Sequence, residues 1–105
     1  MDIKKVRLGK TDLWVTKTAM GCLPIQRISH ADAAKLLRRA YDSGINYFDT
    51  ANKYTDSEEK IGYALADVRG EIIIATKTPS TTVEGFWDDL RTSLRLLKTD
   101  YVDIL

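Results

Sequence analysis

Residues 46–54, with the sequence NYFDTANKY, decide how the rest of this chain is expected to fold. An apolar, strand-like run at the start of the segment ends at Asp49, and the polar loop that follows carries Tyr54. One period later, residues 72–77 (IIIATK) form a second apolar run, which ends at Lys77. Nearly continuous apolar runs are typical of parallel strands that are covered on both faces. The two segments therefore predict neighbouring buried strands with a carboxylate, a phenol and an ammonium near their ends.

Helical patterns lie between and after these strands. Ser29 is predicted to cap a first helix, which Gly44 follows, and Ser57 is predicted to cap a second helix, which ends at Gly70. A third helix is predicted to begin at residue 81 or 82, and apolar residues recur at helical spacing in all of them. The predicted buried faces comprise Ala33, Leu36, Leu37, Ala40 and Tyr41 in the first helix, Ile61, Ala64, Leu65 and Val68 in the second, and Val83, Phe86, Trp87, Leu90, Leu94 and Leu97 in the third.

The chain begins and ends with predicted strands. Apolar residues at alternate positions flank residues 9–12 (GKTD), which predicts a β-hairpin. A short strand is predicted at residues 18–21, followed by a loop at residues 22–28 that has no helical period, and residues 101–105 begin a last strand. The predicted order is a β-hairpin followed by β-α-β-α-β-α-β with parallel strands.

This order predicts an α/β fold, the N-terminal half of a (β/α)8 TIM barrel, with residues 1–105 as a single partial domain. A complete barrel of eight strands takes about 250 residues. An open half-barrel exposes two strand edges, so either a missing C-terminal half or a second chain, as in a homo-oligomer, is expected to cover them. A compact flavodoxin-like sandwich uses the same βα unit and stays open as an alternative.

The composition excludes several classes of function. The 105 residues have a net charge of +1, which gives no basic field for nucleic acid and no polybasic run for an acidic membrane. No apolar run approaches the ~20 residues that span a bilayer, and the first residues show no secretory signal, so a cytoplasmic location is expected. The single Cys22 cannot form an internal disulfide. The acidic residues 56–59 lack a metal-site pattern and are interpreted as the first turn of a helix.

Three side chains are candidates for catalysis. Functional groups of parallel α/β folds collect at the carboxyl ends of the strands, where Asp49, Tyr54 and Lys77 are all predicted to lie. An ammonium beside a phenol stabilises the phenolate, and a carboxylate keeps that ammonium charged and fixes its direction. Tyr54 could then act as a general acid on a carbonyl oxygen, or as a base in reverse. Each residue alone also fits an ordinary role as a turn former, a loop aromatic or a solvated lysine; the convergence of all three favours chemistry.

The residues around these side chains closely resemble the signature of the aldo-keto reductase family. The resemblance covers nearly the whole chain and is carried by residues 48–51 (FDTA), Tyr54, 57–58 (SE), 61–62 (IG) and 64–65 (AL), by the hairpin residues 8–13 (LGKTDL), by 75–77 (ATK) and by 98–103 (KTDYVD).

The resemblance implies a barrel that reduces the carbonyl groups of small molecules, aldehydes or ketones, with NADPH. Asp49, Tyr54 and Lys77 match three members of the family's catalytic tetrad, with Tyr54 as proton donor, Lys77 as its assisting cation and Asp49 as the support for Lys77. The fourth member is a histidine expected a few residues beyond Leu105, and His30 is no substitute for it.

The resemblance also implies where the cofactor lies. Family members bind the dinucleotide mainly through the second half of the barrel, so this half is expected to touch only the nicotinamide end, through Gly21, Cys22, Leu23 and Asp49. The 105 residues alone are therefore expected to be an inactive fragment. Two alternatives stay open: a non-catalytic interaction or regulatory module that self-associates through its open sheet edge, and a remnant with no function of its own.

Overall fold

The computed structural model describes residues 3–105; residues 1–2, the start of the stretch searched for a secretory signal, lie outside the described residues. The strands are β1 (Lys5–Arg7), β2 (Trp14–Thr16), β3 (Met20–Gly21), β4 (Tyr47–Asp49) and β5 (Ile73–Ala75), and the α-helices are α1 (His30–Asp42), α2 (Ser57–Leu65) and α3 (Val83–Leu97). Within the described residues, no helix is both long enough and apolar enough to cross a membrane.

The predicted hairpin is confirmed. Strands β1 and β2 pair antiparallel, with Val6 opposite Val15, and Gly9 takes the positive φ of 59° that its turn requires. Asn46 ties the hairpin to the start of β4, because its Oδ1 accepts from Thr16 N at 2.8 Å and its Nδ2 donates to Trp14 O at 2.9 Å. The hairpin is thus fixed at the amino end of β4, away from the candidate catalytic residues.

The main sheet has the sequential order of a barrel. Strands β3, β4 and β5 pair parallel in chain order, and a parallel bridge from Ala75 to Ile104 continues the series. Helix α1 packs on α2 and α2 packs on α3, so the helices form one outer layer. A flavodoxin-like sandwich reorders its strands and covers both faces of its sheet, so that alternative is wrong. The described residues form an open α/β segment and no closed barrel.

The core lies between the sheet and the helices. Phe48 of β4 is fully buried, whereas its neighbours Tyr47 and Asp49 point to the other face, as strand alternation requires. The buried apolar residues of this core are Cys22, Ile25, Ala33, Leu37, Ala40, Phe48, Ile61, Leu65, Val68, Ile72, Ile74 and Leu97.

Two of the predicted helix caps are confirmed. Ser29 Oγ accepts a hydrogen bond from Asp32 N at 3.1 Å and caps α1, and Gly44 follows the helix with φ 104°. Thr82 caps α3 by accepting from Gly85 N at 3.0 Å. Ser57 is instead the first residue of α2, with Asp56 at the cap position, because its hydroxyl bonds elsewhere in the core.

The predicted helical faces are correct only where a partner covers them. Leu36, Val83 and Trp87 are 43%, 77% and 49% exposed, so their predicted burial is wrong. The fully buried positions of α3, Ser93 and Leu97, lie in its C-terminal half. Helical spacing describes a face of a helix, whereas burial depends on how far the neighbouring element extends.

Three short segments also differ from the sequence prediction. Residues 22–28 contain a 3₁₀ helix, Pro24–Arg27, which is too short to produce a period and begins at the proline. Residues 66–71 continue α2 as a 3₁₀ segment, which includes Gly70. The expected last strand is reduced to the bridge at Ile104.

Candidate active site

Strands β4 and β5 bring their carboxyl ends together, as predicted for parallel neighbours. Asp49 is the last residue of β4, and Lys77 lies two residues beyond β5. The pairing continues past both strands, since Thr50 N donates to Ala75 O at 2.8 Å and Asn52 N donates to Lys77 O at 2.9 Å. The two loops that carry the candidate catalytic side chains are therefore hydrogen-bonded to each other.

Lys77 is held by two oxygens from the end of β4. Its Nζ donates to Asp49 Oδ1 at 3.0 Å and to the backbone oxygen of Thr50 at 2.7 Å. The Lys77 and Asp49 side chains are 52% and 45% exposed. A solvent-exposed ion pair contributes little to folding stability, so its main physical effect is to fix the direction of the ammonium.

Tyr54 lies beside the Lys77 ammonium. Lys77 Nζ is 5.4 Å from the centroid of the Tyr54 ring, within cation–π range. The ring is half-buried, and a turn holds its backbone, because Tyr54 N donates to Ala51 O at 3.1 Å and Ser57 N donates to Tyr54 O at 2.8 Å. The structure thus brings together all three predicted catalytic side chains.

A small cleft opens beside the phenol and the ammonium. It has a volume of about 170 Å³, enough for only a few non-hydrogen atoms, since drug-sized pockets measure roughly 300–1,000 Å³. Its lining residues are Ala51, Lys53, Tyr54, Lys77, Thr78 and Pro79. A small polar group can reach both reactive side chains there.

The predicted cofactor-contacting residues 21–23 adjoin this site in different ways. Cys22 N donates to Asp49 O at 2.8 Å, which fixes the segment beside β4. The Cys22 side chain is fully buried, and burial, together with the charge of Asp49, raises the pKa of its thiol to about 12. Leu23 is 53% exposed, and a Cβ added to Gly21 would meet no atom within 4 Å. Gly21 and Leu23 are therefore accessible, whereas the thiol faces the core.

Comparisons with known proteins agree with this geometry. A model described as the aldo/keto reductase family matches residues 16–105. The chain belongs to the aldo/keto reductase family.

Curated relatives and solved structures extend this result. The chain is similar to the oxidoreductase YqkF of Bacillus subtilis, with 34% identity over 97% of this chain and 38% of the relative. It is also similar to L-galactose dehydrogenase of Arabidopsis thaliana, with 35% identity over 93% of this chain and 35% of that relative. It also superposes on the holo form of an aldo-keto reductase from Bacillus halodurans with a TM-score of 0.85 and 32% identity, covering 95% of this chain and 38% of that one. The predicted half-barrel fold and reductase family are confirmed, and the chain spans under two fifths of these relatives' length.

This family member also buries two charged residues, Glu58 and Lys60, whose burial the sequence did not predict. Glu58 is 1% exposed and accepts from Thr76 Oγ1 at 2.7 Å through Oε2, whereas its Oε1 has no hydrogen-bond partner among the described residues. The interpretation of residues 56–59 as the first turn of a helix is confirmed, since Glu58 and Glu59 lie in the first turn of α2, although the burial of Glu58 was not predicted. Because Thr76 precedes Lys77, this contact helps to fix the end of β5.

Lys60 is the second buried charged residue, and it is 2% exposed. Its Nζ donates to Ile25 O at 2.8 Å, to Ile28 O at 2.7 Å and to Asp56 Oδ1 at 2.9 Å. An ammonium has three donors, and all of them are used. Lys60 therefore anchors the segment that contains Leu23 to helix α2, a role for which the sequence carries no signal.

The remaining candidates lie outside the site. His30 approaches Glu59 at 3.7 Å, and both side chains are about half exposed, in agreement with a surface role. Within residues 3–105, no group of three or more His, Cys, Asp or Glu side chains is arranged to hold a metal ion.

Proposed function

We propose that this chain supplies three catalytic residues of an NADPH-dependent oxidoreductase that reduces aldehydes or ketones to alcohols. The observation that carries the proposal is the position of the Lys77 ammonium, held by Asp49 and facing the Tyr54 ring at the edge of an open cleft. A small carbonyl group in that cleft can approach the phenol directly.

In this proposal, each side chain has one task. Tyr54 donates its phenolic proton to the carbonyl oxygen while a hydride is added to the carbonyl carbon, so that one proton and one hydride complete the alcohol. Lys77 stabilises the phenolate that remains. Asp49 and Thr50 accept hydrogen bonds from the ammonium, which has three donors, so one N–H group is available to turn towards the phenol. Asp49 fixes the direction of the ammonium.

In this proposal, the nicotinamide end of NADPH contacts Gly21, Leu23 and Asp49, which lie at or just beyond the carboxyl ends of β3 and β4. The open backbone at Gly21, the exposed Leu23 and the half-exposed carboxylate of Asp49 form a surface with apolar and hydrogen-bonding groups. The buried Cys22 would contribute only its backbone. NADPH, when bound, supplies the hydride. Because the family resemblance places most of the dinucleotide site in the second half of the barrel, we expect no measurable NADPH binding by these 105 residues in a fluorescence titration.

A second candidate function rests on the open sheet. Within the described residues, β3 pairs with another strand on one side only, and exposed strand edges favour association. In this alternative the chain is a non-catalytic module that pairs with a second copy. A measured mass equal to the 11.9 kDa of one chain would count against it.

Grafting separates the two functions. Residues 16–105 would replace the matching segment of the Bacillus halodurans reductase, on which this chain superposes with a TM-score of 0.85. We expect the hybrid protein to bind NADPH and reduce small aldehydes. A hybrid that binds NADPH with the parent's affinity yet reduces none of the parent's substrates would contradict the catalytic proposal.

A further inference from the structure

We propose that Asn52 and Asp89 are positioning residues, which use helix α3 as a common support to hold Tyr54 against Lys77. The inference rests on the proposed function, because it assigns to these residues the alignment of a proton donor and its assisting cation. It starts from the two loops that follow β4 and β5, residues 50–56 and 76–82, since each carries one of the two side chains.

Asn52 connects the first loop, residues 50–56, to the second loop and to helix α3. Its backbone N–H donates to Lys77 O at 2.9 Å, next to the reactive lysine. Its side-chain Nδ2 donates to Asp89 O at 3.2 Å and to Ser93 Oγ at 3.3 Å, one helical turn apart on α3. Ser93 is 2% exposed, so the amide reaches an anchor in the core. Asn52 lies two residues before Tyr54, and these bonds leave its loop little freedom to move away from Lys77.

Asp89 connects the second loop to the same turn of α3. Its carboxylate accepts a hydrogen bond from Thr78 Oγ1, and Thr78 directly follows Lys77. Thr78 Oγ1 also accepts from Ser80 N at 3.1 Å, which shapes the rest of the loop. The backbone oxygen of Asp89 is the acceptor for Asn52. One residue of α3 therefore holds both loops, one through its carbonyl and the other through its carboxylate.

This connection matters because the direct contact between the two functional side chains is weak. The Lys77 ammonium meets the Tyr54 ring at 5.4 Å from its centroid, and exposed cation–π contacts contribute about 0.5–1 kcal/mol. Such a contact cannot by itself fix two loops, whereas several hydrogen bonds to a helix can. Catalytic groups lose activity steeply with displacement, by roughly 100-fold for 1 Å.

The primary test compares two asparagine variants. Asn52→Ala keeps the backbone N–H and removes only the amide, and we expect loss of the nuclear Overhauser cross-peaks between the Lys77 ε-protons and the Tyr54 ring. Asn46→Ala is the matched control, because Asn46 also joins two elements through its amide, at the opposite end of β4. The control should lower the melting temperature comparably and keep the cross-peaks. Cross-peaks that survive in Asn52→Ala, or disappear equally in both variants, would overturn the proposal.

Milder variants cover the case in which Asn52→Ala does not fold. Asp89→Ala should weaken the same cross-peaks, and Asp89→Asn should restore them, since its amide oxygen can still accept from Thr78. Failure of Asp89→Asn to restore them would contradict the proposed role of the carboxylate.

These measurements need no catalytic activity, so they can fail or succeed independently of the reductase proposal. In the active hybrid protein, the expected signature of Asn52→Ala is a fall in kcat of about 10- to 100-fold with KM nearly unchanged. A fall confined to KM would instead assign Asn52 to substrate binding and overturn the positioning role.

Discussion

At the scale of single residues, the ion pair between Lys77 and Asp49 orients a side chain and contributes little to folding stability. Its ammonium is held by Asp49 and by the Thr50 carbonyl, yet both partners of the ion pair are about half exposed. Exposed pairs contribute about 0–1 kcal/mol to folding. The pair therefore orients a charge at small cost or benefit to stability, which is the arrangement that a catalytic cation requires.

Thr55, next to Tyr54, has an unusual backbone conformation that gives a first prediction. Its φ is +39°, a region that β-branched residues rarely adopt because the side chain crowds the backbone. We expect Thr55→Gly to raise the free energy of unfolding by about 1 kcal/mol in urea denaturation. Thr81→Gly is the control, since Thr81 is also exposed but has no positive φ. A Thr55→Gly protein destabilised as much as Thr81→Gly would show that the conformation carries no strain, because both variants bear the same entropic cost of glycine.

Lys60 gives a second prediction. Lys60→Met leaves the carbonyls of Ile25 and Ile28 without their donor, so we expect a loss of about 2–4 kcal/mol of unfolding free energy in urea denaturation. A change below about 1 kcal/mol would mean that water replaces the ammonium without cost.

The partner of Lys60 adds a dependence on pH. The hydrogen bond from Lys60 lowers the pKa of Asp56 below its ordinary value of 3.8. A lowered carboxyl pKa stabilises the fold above the unfolded value, and that contribution is lost as pH falls through the folded value. Acid titration of stability below about pH 4 should therefore be shallower in Asp56→Asn than in the parent. Equal slopes would contradict the linkage.

The site residues divide into those that the sequence could predict and those that it could not. Asp49, Tyr54 and Lys77 were found because strand ends and parallel pairing determine where they lie, and their catalytic roles stay predictions. The burial of Glu58 and Lys60 and the contacts of Asn52 and Asp89 were missed, because they depend on tertiary structure. These four residues carry ordinary polar side chains in helices and loops, and no local pattern distinguishes a polar residue that a neighbouring element will bury.

At the level of elements, helices α2 and α3 approach unusually closely at Gly62. A Cβ added there would lie 2.2 Å from the backbone oxygen of Leu96 and 2.9 Å from the backbone of Leu97. Backbone atoms cannot yield as a flexible side chain can, so the helices would have to separate. Gly62 is thus required by packing, and it lies on the helix that carries Glu58 and Lys60.

This close approach gives a third prediction. We expect Gly62→Ala to lower the unfolding free energy by about 1–3 kcal/mol, measured by denaturant titration. Gly70→Ala is the matched control, because a Cβ at Gly70 would meet no atom within 4 Å. Helix propensity favours alanine over glycine, so a Gly62→Ala protein at least as stable as Gly70→Ala would show that the close approach of the helices does not constrain packing.

The elements also show where prediction from sequence ends. The βα order, the hairpin and the caps at Ser29 and Thr82 were predicted because each depends on a few neighbouring residues. The 3₁₀ segment Pro24–Arg27 and the reduction of the last strand to one bridge were not. Short segments have no period, and the length of a strand depends on the partner beside it.

At the level of the whole molecule, the core described here does not depend on barrel closure. The buried cluster lies between the sheet and its helices, and Cys22 lies within it, fully buried. Residues 3–105 thus contain an apolar layer of their own, while the opposite face of the sheet carries Asp49. The apolar core therefore lies on one side of the sheet and the candidate catalytic carboxylate on the other.

Cys22 provides a fourth prediction, which probes that core. Burial raises the pKa of its thiol from 9.0 to about 12, so at pH 8 the folded protein should resist a thiol reagent that labels the urea-unfolded chain rapidly. The raised pKa means that the folded protein favours the protonated thiol of Cys22. The contribution of this thiol to stability should therefore be present below pH 9 and be lost as pH rises towards 12. Equal labelling rates with and without urea would show that the core opens readily.

The role of Tyr54 as proton donor can be measured as the single-turnover rate of carbonyl reduction in the grafted reductase with Tyr54→Phe. Phenylalanine keeps the ring and its contact with Lys77 but removes the proton. We predict that the rate falls by about 100- to 10,000-fold while NADPH affinity is unchanged. A rate within roughly threefold of the parent's would contradict the assignment of Tyr54 as the proton donor, because removal of a general acid lowers the rate by far more than threefold.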